Sequence, residues 1–308
     1  MNVFIDETAF EMQRIGGISR YFSELLYELA RLPDLEIILF VGESSNLYLH
    51  RLEGVSSIRI IRSGSVRWFP RLLNACIKSV RRKLVFFRYS WGKAVIYHPS
   101  YFEVDPFIQR LAGGVILTVH DLIYETIKSN PRKKKISKRR RLQNLADGIL
   151  TVSHSTANDL VSFNPQVASQ ITVTPLSASF PDLLGHVSLL DLSDPFFLFV
   201  GTRKGYKLGD LALTALQQLH SCGQYTTRLL FVGGGAFTDG ERTQIQSLGL
   251  ANFVSQVDLS DQDLMHAYSE AVALLFPSAY EGFGLPVLEA IHHECPVIAQ
   301  AVSSIPEV

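Results

Sequence analysis

The sequence predicts an α/β protein built from two Rossmann-like parallel-sheet units facing a cleft. Three observations lead there. Short apolar, β-branched runs alternate with longer amphipathic segments, the pattern of parallel strands joined by crossover helices. The runs fall into two groups, separated by a poorly periodic stretch that carries Pro175, Pro181 and Pro195. A glycine-rich turn with two carboxylates follows a run of the second group, at a strand's carboxyl end, where open α/β sheets bind ligands.

The first group places strands at residues 2–6, 36–41, 57–62, 95–98, 115–119, 148–152 and 171–173. The second places them at 196–200, 228–232, 253–257, 271–276 and 297–300. Domains are therefore expected at 1–185 and 186–308, with a hinge at 182–194.

Composition narrows the function. The 308 residues are 47% hydrophobic and 19% charged, with a formal net charge of zero, so two well-filled cores are possible and the balanced charge argues against a nucleic-acid protein. Cys76, Cys222 and Cys295 are far apart and odd in number, which points to neither a disulfide framework nor a zinc site. No run approaches the roughly 20 apolar residues of a membrane span. Asp6 and Glu7 interrupt the first apolar run, against a secretory leader. A cytoplasmic location is expected.

The turn in question is Glu281-Gly282-Phe283-Gly284-Leu285-Pro286-Val287-Leu288-Glu289. Pro286 suits the first helical position, so the amides of 283–285 should head a helix N-terminus, which attracts anions. Glu281 and Glu289 flank it with acceptors for sugar hydroxyls. Phosphate plus hydroxyls suggests a nucleotide-sugar. Taken singly, each of these residues has an ordinary helix-start explanation.

Gly201-Thr202-Arg203-Lys204-Gly205-Tyr206-Lys207 follows the first strand of the second group. Arg203 and Lys207 there suit a diphosphate, the one as a bidentate fork and the other as a point charge. Gly16 and Gly17 open a helix expected at 19–30, close enough for backbone to approach a ligand. Gly233-Gly234-Gly235 reads as tight turning, and neither cluster has the dinucleotide spacing. His120-Asp121 ends a strand on the same ligand side, while His98, His292 and His293 read as structural. Asp261-Gln262-Asp263 resembles a metal-holding string but reads better as a helix cap led by Ser260. No metal or other cofactor is required beyond the nucleotide-sugar itself.

The basic run 131–141 suits an anionic membrane surface through Arg132 to Arg141, with Arg81 to Arg88 as an amphipathic addition; a solvated helix face explains it nearly as well. The protein is thus expected in the cytoplasm, peripheral on the inner face of the membrane.

Together these motifs resemble glycosyltransferase family 4. The resemblance is strongest from Ser260 to Leu264, Phe276 to Ala290, Pro296 to Ile298 and Ser304 to Val308, and looser at Gly16-Gly17-Ile18, His120-Asp121-Leu122-Ile123 and Thr151 to Ser155. It implies a GT-B fold and a retaining, metal-independent transfer of a hexosyl group from a nucleoside diphosphate to a saccharide or lipid-linked acceptor. It implies that Glu281 meets the donor sugar, Glu289 the ribose, and Gly282, Phe283, Gly284 and Leu285 the phosphate and sugar. It likewise implies that Arg203 and Lys207 hold the diphosphate, His120 approaches the reacting carbon, Gly16 and Gly17 line the phosphate side, and Leu259 meets the base. Residues 7–15 and 62–69 are expected to choose the acceptor.

Two departures stand out: Leu208 replaces a frequent Asn, and Glu294 a small residue. The sequence ends at Val308 soon after the fifth strand of its second group, so the second domain is expected to lack the family's C-terminal helices. Two other readings stay open, a non-catalytic nucleotide-binding or membrane-docking subunit and an epimerase or hydrolase of the same fold.

Overall fold

The computed structural model describes residues 1–64, 70–127, 133–177, 192, 194–223 and 226–308. They form two compact units, Met1–Pro175 and Leu176–Val308. The expected hinge at 182–194 lies almost wholly outside the described residues.

The first unit holds β1 (Asn2–Ile5), α1 (Thr8–Met12), α2 (Gly17–Leu29), β2 (Glu36–Val41), β3 (Ile58–Arg62), α3 (Arg71–Ser90), β4 (Val95–His98), α4 (Pro106–Leu111), β5 (Gly114–Val119), α5 (Ile123–Thr126), α6 (Lys133–Gln143), β6 (Gly148–Thr151), α7 (His154–Phe163) and β7 (Ile171–Val173). Its seven strands pair in parallel in the order β3-β2-β1-β4-β5-β6-β7, so the chain reverses direction across the sheet between β1 and β4. Alternating side chains serve both faces. Val3, Ile5, Ile37 and Leu39 pack with Phe22 and Leu26 of α2 on one side, while Phe4, Ile38 and Phe40 meet Phe86 of α3 and Ile108 of α4 on the other. Buried on both faces, these strands read as continuous apolar runs.

The second unit holds β8 (Phe196–Val200), α8 (Gly209–Ser221), β9 (Arg228–Val232), α9 (Asp239–Ser247), β10 (Val254–Val257), α10 (Asp261–Glu270), β11 (Ala273–Phe276), α11 (Leu285–His292) and β12 (Val297–Ala299), in the parallel order β10-β9-β8-β11-β12. Phe199 and Phe231 pack on α8 and α9, whereas Leu198, Leu230 and Leu274 pack on Tyr268 of α10 and Ala290 of α11. Every strand expected from sequence is present within two residues of its expected bounds.

Residues 7–15, for which the sequence suggests no helix, contain α1. Its Phe10 is fully buried, and the Asp6 carboxylate accepts from the Thr8 N–H, so local hydrogen bonding and one aromatic anchor wind the turn. Asp6 also accepts from Tyr97 Oη at 2.8 Å and Ser100 Oγ at 2.6 Å, which ties the end of β1 to the segment after β4. Burial raises its pKa.

Alongside it, Arg82 of α3 reaches Glu7 at 2.8 Å and Asp105 at 3.0 Å. Burial opposes its charge, yet the two carboxylates outweigh that and raise its pKa above the ordinary value. Glu7 and Asp105 are themselves buried. Removing the guanidinium leaves the two buried acids no closer cation than Lys78, 3.5 Å from Glu7, and Lys83, 3.9 Å from Asp105, so Arg82→Ala is expected to lower the unfolding free energy by about 2–3 kcal/mol, measured by urea denaturation.

Candidate functional site

The second unit gathers several of the side chains expected to act at the carboxyl ends of its central strands. After β8, the residues Gly205–Lys207 form a 3-10 turn, and Leu208 sits in the left-handed region at φ 53° before α8 begins. A left-handed backbone costs a side-chain-bearing residue about 1–2 kcal/mol, and asparagine tolerates it better than leucine. Gly209 must be glycine here for a different reason: a Cβ would lie 2.7 Å from the Arg203 carbonyl oxygen.

Lys207 leaves that turn and meets Glu281, Nζ to Oε1, at 2.5 Å. The lysine also lies over the Phe276 ring, 5.0 Å from its centroid. Both partners are mostly buried, with side-chain exposures of 13% and 10%. The Tyr206 carbonyl accepts from the Ala279 N–H at 2.7 Å, fastening the lysine's loop to the segment after β11.

The acidic turn is fixed from behind. Ser303 Oγ accepts from the Glu281 N–H at 2.8 Å, and Ser304 Oγ donates to the carbonyls of Glu281 and Phe283 at 3.0 and 2.8 Å. Gly284, at φ 109°, ends the turn, and a Cβ there would strike Ile305. The helix α11 starts at Leu285, one residue earlier than the sequence reading placed it, with Pro286 in its second position. Its first internal bond runs from the Val287 N–H to Gly284 O, so the amides ahead of it belong to the set a helix leaves without internal partners. Phe283 is buried and Leu285 half-buried.

Arg203 behaves differently from Lys207. Its Nε pairs with Glu241 of α9 at 2.9 Å, and its two terminal nitrogens donate to the carbonyls of Gly233 and Gly235 at 3.0 and 2.9 Å. The guanidinium also lies 4.9 Å from the Phe237 ring centroid. Its fork is thus committed to the β9–α9 turn. The three glycines of that turn have φ of 78°, 75° and 73°, and a Cβ on Gly234 would come within 2.9 Å of the Arg203 guanidinium. Glu241 closes a capping box with Thr238. Its hydrogen bond from Arg203 holds its pKa down to about 2.

Glu289 accepts from Tyr268 Oη at 2.9 Å inside the helix pair α10 and α11. Leu259 packs partly against the same core cluster. Of the four charged residues expected to act together, the fold joins Lys207 to Glu281, while Arg203 and Glu289 pair with Glu241 and Tyr268. Ser260 caps α10, accepting from the Asp263 N–H, as the sequence suggested.

In the first unit, Gly16 precedes α2 with an extended backbone, and a Cβ on it would collide with the Gln13 side chain. A Cβ on Gly17 would meet nothing within 4 Å. His120 stands against Tyr21, ring centroids 4.9 Å apart, and its Nε2 is buried without a hydrogen-bond partner. Burial, then the charge of Arg139, lowers its pKa to about 4, so it is neutral at neutral pH. His98 is more deeply placed, with Nε2 2.9 Å from Thr118 Oγ1 and a pKa pushed down by burial to about 3. Asp121 is occupied by the Ile123 N–H and by Arg139.

Residues 15–176 match the family described as Glycosyltransferase Family 4, and residues 186–308 match Glycosyl transferases group 1. The chain belongs to glycosyltransferase family 4. It is 28% identical over 315 residues to the O-antigen chain mannosyltransferase B of Escherichia coli, covering 96% of this chain and 81% of that protein. It is 37% identical over 65 residues to the MMP alpha-(1->4)-mannosyltransferase of Mycolicibacterium hassiacum, covering 21% of this chain and 16% of that one. The fold is the GT-B class. The sucrose-phosphate synthase of Thermosynechococcus elongatus superposes with a TM-score of 0.70 at 18% identity, over 99% of this chain and 82% of that one. The Anabaena HepE complex with UDP and glucose gives 0.70 at 16%, over 100% and 82%.

For this family 4 chain, Glu241 and Ser303 were absent from the sequence reading. Glu241 had a signal, a glutamate three residues after Thr238, which is the capping-box spacing. Ser303 had none, since only the fold brings it behind Glu281. Among the described residues, no group of three or more His, Cys, Asp or Glu is placed to hold a metal.

Glu241 has a folded pKa below its ordinary value of 4.5, so its stabilisation is complete above about pH 4.5 and is lost as pH falls toward about 2. Melting temperature should drop across that window, and Glu241→Gln should flatten this part of the profile while lowering the unfolding free energy at pH 7 by about 1 kcal/mol.

Proposed function

We propose that the protein is a retaining hexosyltransferase that moves a sugar, with mannose the leading candidate, from a nucleoside diphosphate to a saccharide or lipid-linked acceptor in cell-surface polysaccharide assembly. The Lys207–Glu281 pair at the head of α11 carries this reading. A cation and the leading amides of a helix lie beside a carboxylate that accepts from hydroxyls, which suits a sugar joined to a phosphate. The mannosyltransferase relatives favour the sugar, and the UDP and glucose bound to HepE favour a nucleotide-sugar donor.

In the reaction, the bond between the anomeric carbon and the diphosphate oxygen breaks. Lys207 and the α11 amides stabilise the charge that grows on the departing phosphate. Glu281 orients the donor sugar. The acceptor hydroxyl attacks from the face the diphosphate leaves, which retains configuration, and its proton passes to a phosphate oxygen of the leaving group. Arg203 serves the site by shaping the loop that carries Lys207, and Gly17 leaves room for a ligand at the start of α2. Glu289 with the ribose and Leu259 with the base complete the proposed donor contacts. No metal or cofactor takes part.

Lys207→Ala and Glu281→Gln should each lower kcat by about 10²–10³ in a panel of GDP- and UDP-linked hexoses. Transfer should be insensitive to EDTA, and proton NMR of the product should show the donor's anomeric configuration. Failure of every donor to give transfer or hydrolysis, with nucleoside diphosphate binding unchanged in Glu281→Gln, would overturn the proposal.

We place the protein in the cytoplasm, held peripherally on anionic lipid by α3. No described helix is long and apolar enough to cross a membrane. Phe86 buries one side of α3, while Leu73, Val80, Leu84 and Phe87, with Trp91 just beyond it, lie exposed at helical spacing. No acidic residue occurs between Gly54 and Phe102, and Arg81 and Arg88 flank the stripe. The basic helix α6 exposes Lys135, Arg140 and Arg141. Arg139 is buried between Asp121 and Glu125, Lys138 pairs with Glu103, and Arg132 lies outside the described residues. Leu84→Asp should abolish cosedimentation with phosphatidylglycerol vesicles, and retention of binding would refute this assignment.

A further inference from the structure

Lys207 and Glu281 satisfy each other, Nζ to Oε1 at 2.5 Å, and among the described residues no second cation pairs with that carboxylate. Arg203, the other cation named in the same loop, cannot substitute, because its fork is committed to Glu241 and to the carbonyls of the Gly233–Gly235 turn.

The backbones that carry the pair are fastened. The Glu281 N–H donates to Ser303 Oγ and the Glu281 carbonyl accepts from Ser304 Oγ, while the bond from the Ala279 N–H to the Tyr206 carbonyl ties the lysine's loop to the acidic one. Glu281 is buried. Its carboxylate therefore cannot retreat to water by a shift of the chain. Lysine is the partner that can move, since its four-carbon stem turns about several bonds while its Cα stays in place.

This arrangement sets a condition on what binds. A ligand that draws the ammonium away leaves a buried carboxylate without its partner, which is costly unless the same ligand supplies donors in return. If the ammonium keeps one of its three N–H groups on Glu281, two anions share one cation and repel each other. A bare diphosphate meets the carboxylate with no donor. A diphosphate that carries a sugar brings hydroxyls to Glu281 and phosphate to Lys207 together. The head of α11 and the contacts to ribose and base serve both ligands alike, so they cancel from the comparison.

We infer that the Lys207–Glu281 pair is a specificity device that favours the sugar-bearing donor over the free nucleoside diphosphate, and that its re-formation after transfer helps expel that product. It rests on the glycosyl-transfer reading and adds the direction in which the site discriminates. No covalent change is involved: the ion pair exchanges for a lysine–phosphate contact and carboxylate–hydroxyl bonds, and returns once the sugar has left with the acceptor.

The test is calorimetric titration of the full chain with GDP, GDP-mannose, UDP and UDP-glucose in the absence of acceptor, for wild type, Glu281→Gln and Glu281→Ala, beside donor turnover by wild type. Wild type should bind the sugar-linked form of its nucleotide more tightly than the bare diphosphate. Both variants should bind the diphosphate about tenfold more tightly than wild type does, the scale of removing one partly screened like charge. They should bind the nucleotide-sugar no more tightly. A merely structural glutamate would shift both ligands in the same direction, and Glu281→Ala separates the loss of charge from any gain made by the new amide of Glu281→Gln. A parallel shift of both ligands, an unchanged diphosphate affinity, or a gain in Glu281→Gln alone would overturn the inference, with wild-type transfer leaving the underlying reading in place. So would a wild type that holds the bare diphosphate as tightly as the sugar-linked form. Absence of turnover with every donor would instead remove the transfer reading, and the titrations would still decide the exchange.

Discussion

The ligand-facing edge of the second unit depends on one guanidinium. Arg203 needs acceptors in the plane of its fork, and it finds them in Glu241 and in carbonyls of the Gly233–Gly235 turn. That demand explains much of the surrounding sequence. Three consecutive glycines adopt positive φ because the turn must curl its carbonyls toward the fork, and Gly234 can carry no side chain against it. Thr238 and Glu241 cap the next helix and present the carboxylate in the same stroke. With Arg203 anchored, Lys207 four residues on is delivered to Glu281 rather than to solvent. The two cations of one loop thus divide the labour, one fastening the scaffold and the other meeting the acidic turn.

The sequence revealed the strands and the acidic turn for a simple physical reason. Parallel strands buried on both faces are written as unbroken apolar runs, and runs such as 36–41 or 228–232 have no competing interpretation once amphipathic segments separate them. The turn at 281–289 was legible because glycine, proline and acid at a strand end admit few structures. The role of Arg203 was not legible. Nothing in Gly-Thr-Arg-Lys-Gly says whether an arginine will face a ligand or a glycine turn thirty residues on, since that depends on β9 lying beside β8. The same limit applies to Ser303, and to Glu289, whose tyrosine partner lies on a different helix. Phe10 was missed because a five-residue helix offers too short a period to detect.

In the first unit, charge is organised with equal care. Glu7, Glu11 and Asp105 converge on Arg82 and Lys78 where β1 meets α3. The inward face of α3 is therefore ionic near its middle and aromatic at Phe86, which frees its outer face from any duty to the core. One helix thereby braces the β1–β4 reversal and carries an apolar stripe outward.

Leu208 holds a backbone shape that leucine alone would avoid, directly after the lysine that meets Glu281. A segment kept in a disfavoured shape by its neighbours has little freedom to drift, so the ammonium group is held against the Glu281 carboxylate. The energetic burden of holding it there falls once, when the chain folds.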